Sequence, residues 1–260
     1  MKRFFVCFLL TIMLCTSAFA LAPLATPQQI QVREKLSDMG YPVSDEVFSA
    51  AIEELYSYQE MLSEFEGFAE MEDFYSDTFT DEYFAYILLM TEGMGQYDEE
   101  TWEWTPSSGY IYVFDAEFMN IDTMYTEFLL GVQAIVPDAQ FENVQEDLSG
   151  MSLEWDPETY SDGTRSVSFT CNGHPYAITL DSYGDWLNDE IIDFVNDVLE
   201  AEGCAGRLHA INDYQTVFLI YGTASQAAEL RQIMGFEPVI EMPDMEDQPL
   251  LTQKLVDFFF

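Results

Sequence analysis

Apart from carboxylates, few side chains in this sequence suit acid–base, nucleophilic or metal chemistry. There are two histidines, His174 and His209, and four cysteines. Cys7 and Cys15 lie in a predicted leader, which leaves Cys171 and Cys204. Two histidines and two cysteines at these spacings fit no zinc finger. His174 follows the glycine of a predicted hairpin turn, where solvent exposure is the default. His209 sits in a predicted strand with Asp213 nearby, and a Ser-His-Asp site would have to be built there. The sequence contains no G-x-S-x-G elbow, H-E-x-x-H, P-loop or G-x-G-x-x-G.

Carboxylates are the abundant chemistry, with 48 Asp and Glu against 8 Lys and Arg. Glycoside hydrolysis needs two of them at a set separation. Because every surface of this chain will present acid pairs, such a pair carries little information by itself. Calcium takes oxygen ligands from closely spaced acids on a loop. Asp156, Glu158 and Asp162, followed by Gly163, form one such loop, but the EF-hand glycine position is occupied by Ser161. Asp181, Asp185 and Asp189 form a second cluster, where acids at a helix N-terminus also serve capping and the helix dipole. No residue is assigned as catalytic, cofactor-binding or metal-ligating, and calcium stays open as a cofactor.

Cys171 and Cys204 are expected to pair as a disulfide. Asn172-Gly173 marks a two-residue hairpin turn, with Cys171 just before it. A strand of about seven residues leads away for roughly 23 Å. A helix of about 17 residues returns over roughly 25 Å. Cys204 follows that helix and should land beside Cys171.

The net charge of −40 sets the partners. Nucleic acid is excluded, since each phosphate contact needs a Lys or Arg. Anionic membrane surfaces are disfavoured, and a basic protein or peptide is favoured. With 48% hydrophobic and 15% aromatic residues, the chain still has enough apolar material for a core. Residues 1–20 read as a secretory signal: Lys2 and Arg3, an apolar run from Phe4 to Leu14, then Ala18-Phe19-Ala20 for cleavage near Ala20. The expected location is therefore extracellular or the cell envelope, with no membrane span once the signal is gone.

The elements that must position these groups follow from periodicity. Thr26-Pro27-Gln28-Gln29 is a capping box opening a helix that stops at Gly40. Further helices are expected from about Asp45 to Leu62 and from Thr80 to Gly93, and the stretch from Tyr97 to Gly109 reads as a connection with buried Trp102 and Trp104. Strands are expected at Tyr110–Phe114, Phe141–Gln145, Met151–Trp155, Arg165–Cys171, Pro175–Leu180, Leu208–Ile211 and Val217–Tyr221. Helices fall at Asp122–Ile135, Asp185–Glu202 and from Thr223 to Gly235.

The fold class is α+β. A helical subdomain (21–105) precedes an antiparallel or mixed sheet with helices packed on one face (106–237), and an acidic tail (238–260) closes on Phe258, Phe259 and Phe260. Strand, helix, strand, strand occurs twice, which raises a duplicated β-α-β-β unit. A constant, gapless offset aligns Tyr110 with Tyr176, Asp115 with Asp181, Phe128 with Phe194, Val132 with Val198, Asp147 with Asp213 and Leu153 with Leu219. The leading functional expectation is an exported, non-catalytic protein that binds a cationic protein or peptide. A carboxylate-dependent hydrolase of glycans and a calcium-binding cell-surface protein are the alternatives.

Overall fold

The computed structural model describes residues 25–63, 81–98, 104–118, 120–151, 163–213 and 215–236. The signal segment, the loop with Asp156, Glu158 and Asp162, Trp102, and the tail from 238 lie outside those residues.

Three helices come first: α1 (Pro27–Asp38), α2 (Asp45–Ser63) and α3 (Asp81–Gly93). Thr26 caps α1 through the expected box, with its side chain accepting from the Gln29 N–H. A two-stranded ribbon follows, β1 (Gln96–Tyr97) against β2 (Trp104–Thr105). Trp104 is buried, as expected, and its indole N–H donates to the Met94 carbonyl at 2.8 Å. The rest is β3 (Ile111–Asp115), α4 (Met124–Ile135), β4 (Phe141–Asp147), β5 (Thr164–Cys171), β6 (His174–Asp181), α5 (Glu190–Ala201), β7 (Arg207–Asp213), β8 (Thr216–Gly222) and α6 (Ala224–Ile233). A single 3-10 turn, Ile121–Thr123, leads into α4.

The fold is α+β, and all its strand pairings among the described residues are antiparallel. The six longer strands do not form one sheet. They form two, in the orders β3-β8-β7 and β4-β5-β6. Strand alternation sorts the first sheet's side chains onto two faces. Ile111, Val113, Phe218, Ile220 and Ile211 join one apolar cluster with α1, α2, α3 and α6. Tyr112, Phe114, Val217, Leu219 and Leu208 join a second cluster with α4, α5 and the inner face of β4-β5-β6. The layers therefore run helices, sheet, helices, sheet. Among the described residues the first sheet is covered on both faces and the second on one.

The strand order carries an internal two-fold. Exchanging β3 with β6, α4 with α5, β4 with β7 and β5 with β8 turns one sheet into the other. Each sheet takes a hairpin from one half and a single strand from the other. The 66-residue offset maps α4 onto α5 and β4 onto β7 from first residue to last. It also brings the ends of β3 and β6, Asp115 and Asp181, into register. The gapless alignment fails beyond that point. Among the described residues the partner of β4 is β5, from Thr164, and residues 152–155 of the expected Met151–Trp155 strand lie outside them. Met151 makes only an isolated bridge to Gly163, so the first half carries extra residues inside its hairpin.

One helix starts later than its acids suggest. The apolar period and Asp185 predict a start near 185, but α5 begins at Glu190. Residues 185–187 are held instead by backbone bonds to another segment: Phe118 N–H to the Asp185 carbonyl at 2.7 Å and Leu187 N–H to the Ala116 carbonyl at 2.8 Å. The Asn188 side chain then accepts from the Glu190 N–H at 3.0 Å and starts the helix.

Candidate functional site

Those two bonds join loop 116–118 to loop 182–187 and build the first feature of the site. Tyr183, Gly184, Asp185 and Trp186 form a tight turn, with the Trp186 N–H donating to the Tyr183 carbonyl at 3.3 Å. Gly184 has φ +69°, which glycine adopts without steric cost. The turn pairs Tyr183 with Trp186, and Trp186 with Glu117, in antiparallel bridges. Opposed residues in such bridges project to the same side. Tyr183 and Trp186 remain 42% and 37% exposed, which is unusual for large aromatics with a core available.

Carboxylates lie close to this turn. Asp115 Oδ1 accepts from the Glu117 backbone N–H at 2.9 Å. Glu117 Oε2 accepts from the Gln215 amide at 2.8 Å. Burial raises the Glu117 carboxyl above its ordinary value, and the nearby charges of Asp185 and Asp115, with a hydrogen bond to Asp185, push it the same way. Glu117 and Asp185 therefore lie close together. Carboxylates in direct hydrogen-bond contact do not flank a glycosidic bond, since glycosidases hold theirs about 5 to 9.5 Å apart.

The raised Glu117 carboxyl gives a pH signature. A carboxyl raised in the folded state is protonated there while the unfolded chain has already lost its proton. Its contribution to stability is complete below the unfolded value of 4.5 and is lost as pH rises through the folded value. Glu117→Gln removes this liability, so the variant should melt higher than the parent at pH 7 and about equally at pH 4. Parallel melting-temperature curves for the two proteins across that range would refute the raised carboxyl.

The second feature lies alongside. A groove of about 510 Å³ follows the outer edge of β7, lined by Asp189, Ile192, Asp193 and Asn196 of the α5 segment, Leu208 to Ala210 and Asn212 of β7, and Ala227 of α6. The β7–β8 turn carries Gln215, whose bond to Glu117 ties this groove's end to the acidic and aromatic turn. Asn196 clamps the strand, accepting from the Leu208 N–H at 2.7 Å and donating to the Leu208 carbonyl at 3.0 Å. The other half repeats the device: Gln133 accepts from the Phe141 N–H at 2.7 Å and donates to the Ala139 carbonyl at 2.9 Å.

The residues expected to matter are scattered by comparison. His209 lines the groove, and Asp213 is four residues along the same strand, about 13 Å away by strand rise. Asp181, Asp185 and Asp189 are not brought together: Asp185 pairs with Glu117, while Asp189 faces the groove. No group of three or more potential metal ligands occurs among the described residues.

Cys171 and Cys204 are both buried in the core shared by the two sheets, as free thiols. The Asn172-Gly173 hairpin forms as expected, with φ of 50° and 85°. Cys204 Sγ reaches the Asp138 carbonyl at 3.7 Å, the same carbonyl to which the Asn172 amide donates at 3.5 Å. Desolvation raises both thiols, Cys171 to about 11, with smaller contributions from neighbouring acids. Thiols in that state are poor nucleophiles. His174 is mostly exposed, as expected, and its Nδ1 meets Glu202 Oε1 at 2.8 Å. The Tyr176 hydroxyl also donates to Glu202. These bonds, that of Tyr176 foremost, hold the Glu202 carboxyl below its usual range despite desolvation.

Sequence reasoning missed the Glu117–Asp185 pair and the exposed aromatic turn. Tyr183-Gly184-Asp185 contains a turn signal, but the acid's helix-capping role claimed it first. No known protein family, curated protein or solved structure matches this chain.

Proposed function

We propose that this is an exported, non-catalytic protein that binds a cationic protein or peptide through the Tyr183–Trp186 turn. The observation that carries this reading is an exposed Tyr183 and Trp186 on a turn bridged to Glu117, with Asp115 and Asp185 beside that carboxylate. Aromatic faces and carboxylates both favour Lys and Arg, the first through the ring quadrupole and the second through charge. The chain's net charge of −40 adds long-range steering. The leader-like residues 1–20 support export. No described helix is long and apolar enough to cross a membrane.

The test is fluorescence anisotropy with a labelled hexapeptide, Lys-Thr-Lys-Val-Lys-Thr, at about 10 mM and about 500 mM salt. Binding is expected at low salt and should fall steeply at high salt. Trp186→Ala should weaken it about tenfold. Salt-independent affinity, or equal affinity for the Trp186→Ala protein, would overturn the reading.

In the same exported setting we propose that Cys171 and Cys204 become a disulfide. Both sulfurs lie near the 138–140 turn, and in an oxidising compartment a protein disulfide or small-molecule disulfide accepts their two electrons. The cross-link should stabilise by about 3 to 4 kcal/mol. Thiol titration of the denatured, exported protein should find no free thiol, and two free thiols would eliminate the bond.

A further inference from the structure

Resting on the cationic-partner reading above, we propose that the partner binds as an extended strand added to the free edge of β7. Among the described residues β7 is the outermost strand of its sheet, bonded only to β8. Leu208 turns its backbone N–H and carbonyl outward, because Asn196 takes both. Strand alternation puts the N–H and carbonyl groups of Ala210 and Asn212 on that same outer edge. Among the described residues, neither is bonded to any group there. Asn196 thus stands in for the first residue of a neighbouring strand, and among the described residues the edge beyond it is open.

The groove matches a strand in shape and charge. α5 and α6 flank the edge from opposite faces of the sheet. On the α5 side, Asp189 and Asp193 are one helical turn apart, about 6 Å along the axis. Alternate residues of an added strand are about 6.7 Å apart on one face. Lysines or arginines at positions i and i+2 therefore meet the two carboxylates in turn. The α6 side offers Ala227 and His209, which favours small or apolar residues at i+1. Arg207 also lines the groove, but it is occupied by Glu200 at 3.4 Å and by the carbonyls of Cys204 and Gly206. A second copy of this chain would place its own Asp189 and Asp193 against these acids, so charge selects a basic partner.

The hexapeptide above carries this alternation, and two analogues separate strand addition from mere charge. Each is N-methylated along one of its two amide rows. An added strand points one row at β7 and the other at solvent, so one analogue should lose at least about tenfold in affinity and the other should bind normally. Ala210→Pro removes one outward donor where an edge strand tolerates proline, and it should weaken the parent peptide similarly. If that variant fails to fold, the two analogues with the unaltered protein still decide. Equal affinity of both analogues and the parent, with the Trp186→Ala loss intact, would overturn strand addition and leave the cationic-partner reading standing. No binding of the parent peptide at low salt would overturn both. Self-association that Ala210→Pro abolishes, without peptide binding, would assign the edge to a second copy and overturn the proposal.

Discussion

Replacing Arg165 with Met is expected to lower stability by about 3 to 5 kcal/mol, among the largest losses available to a single substitution here. Arg165 sits on the inner face of β5 and is almost completely buried. Its Nη1 donates to Glu146 Oε2 at 3.1 Å, its Nη2 to the Met151 sulfur at 3.4 Å, and the guanidinium lies 5.4 Å from the centre of the Tyr125 ring. Glu146 is equally buried, and its other oxygen accepts from the Thr126 N–H and hydroxyl, both at 2.8 Å. Thr126 lies in the first turn of α4, which has no side-chain cap of its own. The carboxylate on β4 thus caps the helix from outside and neutralises the arginine. Removing the arginine strands a buried carboxylate. Replacing Arg165 and Glu146 together with Met should therefore recover most of the loss, apart from the cap. Urea unfolding of the two single variants and the double variant measures this. A double variant as unstable as the sum of the singles would deny the coupling.

Phe218→Ala is expected to cost about 3 to 5 kcal/mol, and the shape of the transition is as informative as its midpoint. Phe218 is fully buried on the central strand β8 and packs edge-on against Tyr86 of α3 at 5.0 Å. Its cluster includes residues of α1, α2, α3 and α6 as well as β3 and β7. The N-terminal helices and the sheet therefore share one core. A shared core should melt in one step, with the midpoint lowered equally for helical and aromatic signals. Two separated transitions, with the first 80 or so residues unaffected, would make the N-terminal helices an independent unit.

The elements with strong local punctuation were legible from sequence. Thr26 and Thr223 form the capping boxes that their spacing implies, and Asn172-Gly173 makes the hairpin. Strand partners were harder. Phe141–Asp147 alternates weakly and carries a bulge between Glu142 and Gln145, with Asn143 at φ 56°, so its apolar pattern does not announce a neighbour. The division into two sheets was hidden for a related reason. β3 and β8 are rich in apolar residues throughout, which signals burial on both faces but does not name what covers each. The candidate site was least legible. Glu117 and Asp185 are far apart in sequence, and among 48 acids nothing marks the two that meet.

The exchange of strands between the two halves has a consequence for the order of assembly. Among the described residues β3 has only β8 as a strand partner, and the two are separated by about 100 residues of intervening sequence. During synthesis from the N-terminus, Ile111 to Asp115 must wait for almost the last described element before their edge is closed. The β4-β5-β6 sheet, by contrast, is contiguous in sequence and can pair as soon as its two turns emerge. Long-range closure is entropically costly and slow. The growing chain should therefore stay open at its centre until its final hairpin arrives, and a ribosome-stalled chain ending before residue 216 should remain sensitive to protease within β3.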